Sequence, residues 1–202
     1  APSPDGKFAL VGADRVVHYL NLETGKAVPL AGHAAAVTAL AFSRDGTQAM
    51  SGSDDRTARV WELPSGKPLQ ELKGHDGPVR GVAFNDSGKW GLSGSADGTV
   101  RLWQLASGKE LGKFPKHNET VVQVAFLDNG KQTLSGSRDL NLLPWSIEKF
   151  SAVSVSTPAN NSPPEAKPVE VKRKLVPVGG TLSKLILSPE GKKVSFVDLT
   201  SN

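Results

Sequence analysis

Cysteine is absent from the 202-residue chain, which excludes disulfides, thiolate metal sites and a cysteine nucleophile. The lack of thiols fits oxidising and reducing surroundings alike, so it assigns no compartment. Long apolar runs are missing too. No stretch approaches the eighteen or so apolar residues that a membrane-spanning helix needs. The opening APSPDGKF lacks the basic start and apolar stretch of a signal peptide. Nor is there an excess of one charge, with 24 Lys and Arg against 20 Asp and Glu. Residues 1–150 hold 17 basic and 16 acidic side chains, so the surplus sits in residues 151–202, chiefly at Lys172, Arg173 and Lys174. A basic stripe tracking a nucleic-acid backbone is therefore not indicated, and no nucleic-acid partner is expected. What the chain does have is turn residues: 21 Gly and 14 Pro spread along its length, which favour short strands over long helices.

A period of 42 residues organises the first three quarters of the chain. His33, His75 and His117 are spaced by it, as are Trp61, Trp103 and Trp145. Ser51-Gly52-Ser53, Ser93-Gly94-Ser95 and Ser135-Gly136-Ser137 keep the same step. Turn signals recur between them, at Asp45-Gly46, Ser87-Gly88 and Asn129-Gly130, and again at Ser65-Gly66 and Ser107-Gly108. A fixed period of this size marks a repeat architecture. Each unit reads as four short antiparallel strands; in the second these are 37–42, 48–51, 57–61 and 68–72. One such sheet cannot bury both faces, so neighbouring units must pack on it.

The run Gly32-His33 … Ser51-Gly52-Ser53-Asp54-Asp55 … Val60-Trp61 resembles the WD40 repeat, whose units form propeller blades. Gly74-His75 … Ser93-Gly94-Ser95-Ala96-Asp97-Gly98 … Leu102-Trp103 matches it closely. In the fourth unit Lys116 replaces the Gly before His117, and Pro144 falls inside the third strand, where a missing donor is expected to weaken the blade or change its pairing. The first unit has lost its Gly-His, keeps Asp14, and carries Leu20 where the Trp should stand. The resemblance implies an all-β fold of four-stranded antiparallel blades forming an incomplete ring over residues 1–150, with repeats at about 1–31, 32–73, 74–115 and 116–150.

Ser, His and Asp recur together, which raises the question of catalysis. A catalytic triad needs one exposed nucleophile at one cleft, whereas this set is stamped three times at constant spacing. Three His residues on separate units do not make a zinc site either, and no Gly-rich segment precedes a helix to cradle a phosphate. No cofactor is expected. The resemblance implies instead a structural hydrogen-bond network within each blade: His33, Ser51, Asp55 and Trp61; His75, Ser93, Asp97 and Trp103; His117, Ser135, Asp139 and Trp145.

Propellers of this kind bind partners on the rim of the central channel. The resemblance places the contact positions at the residue before the blade Asp and at two early residues of each first strand. Asp54, Thr38, Pro78, Arg80 and Arg138 are thus the candidate partner-binding residues, with Arg80 and Arg138 foremost because arginine is enriched at interface hot spots.

After Trp145 the period breaks. Residues 151–178 are rich in Pro and Ser and read as a linker. Alternation resumes at 182–187 and 193–199 around a Ser188-Pro189-Glu190-Gly191 turn, so 179–202 reads as the start of a further β module, for instance a second propeller. A seven-bladed ring of such units would need about 294 residues, so the chain is expected to be a fragment of a longer polypeptide. Its ring would be completed by missing blades or by self-association. The function expected is a non-catalytic scaffold for protein–protein interactions. The alternative is an interaction or regulatory arm of a larger enzyme, such as a kinase, protease or redox protein, whose catalytic domain lies outside these residues.

Overall fold

The computed structural model describes residues 1–115, 117–127, 130–147, 182–187 and 194–198. The expected linker, 151–178, lies outside the described residues. Among the described residues sixteen strands, numbered in chain order, fall into five antiparallel sheets. The first holds β1 (Phe8–Ala13), β2 (Val16–Asn21) and β3 (Ala27–Ala31). The second is β4 (Val37–Phe42), β5 (Gln48–Ser53), β6 (Ala58–Glu62) and β7 (Pro68–Leu72). The third repeats it as β8 (Val79–Phe84), β9 (Trp90–Ser95), β10 (Thr99–Gln104) and β11 (Lys109–Pro115). The fourth has β12 (Val121–Leu127), β13 (Gln132–Ser137) and β14 (Leu142–Ser146). A last hairpin pairs β15 (Leu182–Leu187) with β16 (Val194–Asp198). The architecture is all-β and blade-like. Among the described residues the sheets form no closed ring.

Local chemistry sets the turns. In the β4–β5 turn the Asp45 carboxylate accepts from the Ser43 hydroxyl at 2.7 Å and from the Thr47 N–H at 3.0 Å. Gly46 follows with φ +72°, a conformation that a side chain would oppose. Ser3, Asp5 and Gly6 build the same turn before β1. There residues 1–3 lie antiparallel beside β1: Pro2 bridges Ala9, and Ala1 and Leu10 exchange backbone hydrogen bonds.

Successive sheets pack face to face: first strand lies beside first strand where β4 meets β8 and β8 meets β12, and β1, the register counterpart of β5, packs on β4 as β5 packs on β8. Each seam is an apolar core shared by two sheets. Leu10 and Leu30 of the first sheet close on Trp61 and Leu63 of the second. Met50, Val60 and Leu72 of the second close on Trp103 and Leu105 of the third. Leu92, Leu102 and Phe114 then close on Trp145 and Ile147. The middle glycine of each Ser-Gly-Ser triplet permits the approach. A Cβ on Gly94 would lie 2.6 Å from Val121 Cγ1 and 2.9 Å from Val124 Cγ1. Gly94→Ala should therefore overpack this seam and lower stability by about 1–3 kcal/mol. Urea denaturation checks it, and an unchanged midpoint would show that the sheets can slide apart freely.

Two expectations about the outer units need correction. Pro144 does not change the pairing of its strand. β14 pairs with β13 through Leu134↔Pro144, as β10 pairs with β9 through Leu92↔Leu102. Ser137 N–H donates to Asn141 O and Ile147 N–H to Lys131 O. Alternation between those two bonds makes Leu134/Pro144 a non-hydrogen-bonded pair, so the missing donor faces away from β13. The ladder with β13 loses nothing.

Asp14 does not keep the blade Asp position either. The β1–β2 turn is one residue shorter than its counterparts, with Gly12 opposite Val17 where Gly52 stands opposite Ala58. Asp14 is left exposed at the turn, its carboxylate 3.4 Å from Arg15 Nε and its backbone oxygen accepting from Val37 N–H. Leu20 does take the Trp place, since Ala9↔Leu20 corresponds to Ala49↔Trp61.

Candidate functional site

Each of the three regular repeats assembles one chain of polar side chains. The His enters just before the first strand, the Ser sits in the middle of the second, the Asp in the turn after it and the Trp on the third. In the second sheet His33 Nδ1 lies 2.8 Å from Asp55 Oδ2, His33 Nε2 lies 2.8 Å from Ser51 Oγ, and Trp61 Nε1–H donates to Ser51 Oγ at 2.8 Å. In the third the distances for His75, Asp97, Ser93 and Trp103 are 2.9, 2.7 and 2.8 Å. In the fourth, for His117, Asp139, Ser135 and Trp145, they are 3.0, 2.7 and 2.9 Å.

The proton order follows from the donors. The indole can only donate, so the Ser hydroxyl accepts from it and gives its own proton to His Nε2. The proton of the neutral imidazole is then on Nδ1 and points at the carboxylate. Both ring nitrogens of each His are engaged, which leaves none of them a free lone pair for a metal.

Each carboxylate does more than hold its His. Asp55 also accepts from the backbone N–H of Ala34 and Thr57 and from the Thr57 hydroxyl. Asp97 does the same with Asp76, Thr99 and the Thr99 hydroxyl. Asp139 has the two backbone donors of Asn118 and Asn141, but no hydroxyl because Asn141 stands where a Thr would be.

Burial pushes the His33 and His117 imidazoles below their ordinary value of 6.5, against the pull of Asp55 and Asp139. Burial would raise the Asp55 carboxyl, but the hydrogen bonds from Thr57, Ala34 and His33 outweigh it and hold it at about 2. Asp97 and Asp139 are lowered by the same balance. For the His residues the unfolded chain takes up protons first, so stability falls as pH drops below 6.5. For Asp55 the contribution is fully present above 3.8 and disappears as pH falls towards about 2. Urea midpoints should thus be level near neutrality, decline gently below 6.5 and collapse below 3.8. A midpoint that rises from neutrality to pH 5 would contradict this ionisation pattern.

Of the candidate partner-binding residues, Asp54 and Arg138 stand in second-to-third strand turns and Thr38, Pro78 and Arg80 at the starts of first strands, the same end of each sheet. Backbone bonds repeat there in all three sheets: Asp54 N–H to Ala36 O, Ala96 N–H to Pro78 O, and Arg138 N–H to Thr120 O. Asp54 of the second sheet pairs with Arg80 of the third at 2.9 Å, each side chain 37% exposed. Thr38 donates its hydroxyl to Val79 O, across the same seam. Pro78 is half-buried and Arg138 is exposed. Arg80 is therefore partly neutralised, whereas no ion pair among the described residues holds Arg138.

Two features escaped the sequence reading. Arg59 pairs with Glu71 at 2.8 Å, and Arg101 pairs with Glu110. These guanidinium groups lie over the glycine that precedes the His: a Cβ on Gly74 would fall 2.6 Å from Arg101 Nη1, and one on Gly32 3.0 Å from Arg59 Nη1. In the fourth sheet the register puts Leu143 where Arg101 stands, in the same repeat that replaces the glycine by Lys116. The glycine and the arginine disappear together. The second missed feature is Val11, which takes the register position of Ser51 in the first sheet and is 45% exposed.

Comparison with known proteins agrees with this geometry. The WD40 family model, described as WD domain, G-beta repeat, matches residues 26–62, 66–104 and 108–142, more than half of the chain. These matches are staggered against the sheets, since 26–62 runs from β3 through β6 and 66–104 from β7 through β10. The chain is 39% identical over 64 residues to a U3 small nucleolar RNA-associated protein 15 homolog of Xenopus tropicalis, 31% of this chain and 12% of that protein. It is 52% identical over 40 residues to a Notchless protein homolog of Arabidopsis thaliana, 20% of this chain and 8% of that one. Over 77 residues it is 35% identical to a periodic tryptophan protein 2 homolog of Neurospora crassa, 35% of this chain and 9% of the relative. The matched stretches span about a tenth of these relatives' lengths. With the period, the blade-like sheets and the repeated polar chains on the same residues that the family model matches, this chain belongs to the WD40-repeat family.

Proposed function

We propose that the protein is a non-catalytic scaffold that binds protein or peptide partners at the rim formed by Thr38, Asp54, Pro78, Arg80 and Arg138, with no cofactor. The twelve His, Ser, Asp and Trp residues are structural in this reading, tying the strands of each blade together. The observation that carries it is the burial of Ser51, Ser93 and Ser135, all 0% exposed and each bonded to its own Trp and His. A hydroxyl so covered cannot attack a substrate carbonyl, which a nucleophile must reach. The WD40 family membership supports the same reading, and the loops at the rim offer charge without such burial.

Two measurements test it. Any esterase or peptidase signal of the purified protein should be unchanged in Ser93→Ala; its abolition by that change alone would overturn the non-catalytic reading. Chemical cross-linking with mass spectrometry should show captured partners lost about tenfold in Arg138→Glu and Arg80→Glu. Lys67→Glu, at an exposed turn far along the sheet, should leave capture intact. Equal capture by all three would overturn the rim assignment.

A further inference from the structure

We propose that the far face of the fourth sheet is a docking surface whose occupant is the hairpin β15–β16 of the same chain, which forms the inner half of a fifth blade in the same arc. The inference does not rest on the partner-binding reading, since it concerns a seam and not the rim.

Register carries the argument. Each blade's opening hairpin starts with a pair, skips one residue on the first strand, and resumes. The pairs are Val37↔Ser53 then Ala39↔Gly52, Val79↔Ser95 then Gly81↔Gly94, and Val121↔Ser137 then Gln123↔Gly136. β15–β16 has the same bulge at the same place, Leu182↔Asp198 then Lys184↔Val197. Its ladder ends at Leu187↔Val194, with the spacing of Phe42↔Ala49 and Phe84↔Gly91. A free-standing hairpin has no reason to bulge at that residue, because bulges are positioned features of a particular pairing.

That register puts Leu182 and Leu185 at the positions of Val79 and Val82, and of Val121 and Val124. Those pairs cover the triplet glycine of the preceding sheet: a Cβ on Gly52 would lie 2.6 Å from Val79 Cγ1 and 3.3 Å from Val82 Cγ1. The glycine awaiting such a pair is Gly136. Placement agrees, since β15 approaches β12 with Cα atoms within 8 Å, on the same first-strand-to-first-strand pattern as β4 with β8 and β8 with β12. Leu134 stands where Met50 and Leu92 face the following sheet, and it is only 8% exposed. In this reading β15 and β16 continue one propeller.

The absence of cysteine makes the test clean. In the full chain, Gly136→Cys with Leu182→Cys should close an intrachain disulfide under mild oxidation, read by mass spectrometry of the digest. Gly94→Cys with Val121→Cys is the control, because a Cβ on Gly94 lies 3.3 Å from Val121 Cβ, near the disulfide range of about 3.5–4.5 Å. Closure of the control while the thiols introduced by Gly136→Cys and Leu182→Cys stay reduced, or link only between chains, would overturn the proposal. A second measurement needs no cysteine. Leu185→Asp should lower hydrogen-exchange protection of β12 and β13 by about tenfold while β4–β7 keep theirs. Unchanged protection in β12 and β13 would overturn it equally.

Discussion

Asp97→Ala should cost about 3–5 kcal/mol of stability, since several donors lose their acceptor and each that stays buried and unpaired costs about 1–3 kcal/mol. Its carboxylate serves four donors: His75 Nδ1 at 2.9 Å, Asp76 N–H at 3.0 Å, Thr99 N–H at 2.9 Å and the Thr99 hydroxyl at 2.7 Å. Alanine removes this acceptor from all four, leaving His75 Nδ1 only the longer approach to the Thr99 hydroxyl at 3.3 Å. It also removes what orients His75 towards Ser93, so the loss spreads to the indole of Trp103. Against a typical domain stability of about 5–15 kcal/mol, this is a large fraction. Asp139→Ala should cost about 1 kcal/mol less, because Asn141 supplies no hydroxyl to be stranded. Urea denaturation of the two variants and the wild type decides the matter. Equal losses would mean that the hydroxyl contributes nothing, and a loss under about 1 kcal/mol for Asp97→Ala would reduce the network to decoration.

Trp103→Ala should be of similar size, about 3–5 kcal/mol, for a different reason. Trp103 is 2% exposed and belongs to the core that also holds Met50, Val60 and Leu72 of the preceding sheet. Truncation opens a cavity at a seam, so two blades lose their contact at once. Trp103→Phe separates the contributions: it keeps most of the ring burial and loses only the indole donor to Ser93, which should cost about 1–2 kcal/mol. Far-UV circular dichroism is the readout, since the mutation removes a fluorophore. A Phe variant as unstable as the Ala variant would place the whole effect in the hydrogen bond and none in the packing.

Most of the repeat was legible in the sequence because the period is constant where the strands are regular. His33, Ser51, Asp55 and Trp61 recur at 42-residue steps, and residues at equal steps occupy equal places once every turn has equal length. That condition fails in the first unit. Its β1–β2 turn is one residue shorter, so counting from neighbouring repeats misplaces Asp14. The effect of Pro144 was illegible for another reason: whether a missing donor matters depends on which side of the ladder it faces, and only the hydrogen-bond phase tells. The pairing of glycine with arginine at Gly32/Arg59 and Gly74/Arg101 needed three dimensions. Those residues are 27 positions apart in the sequence and share no local pattern, yet the guanidinium takes the space that a Cβ would fill.

The stagger between the family repeat and the sheet has a consequence for how such a chain can grow. A stretch such as 26–62 carries the outer strand of one sheet and the three inner strands of the next. Duplicating that stretch never adds a finished tile. It adds two half-joints, each complementary to what flanks the insertion, so a gene can lengthen by one unit and find both ends already dovetailed. The same interlock governs damage. A protease cut between β6 and β7 would leave both pieces holding strands of one sheet, hydrogen-bonded to each other, so the nicked protein should stay in one piece until it is unfolded.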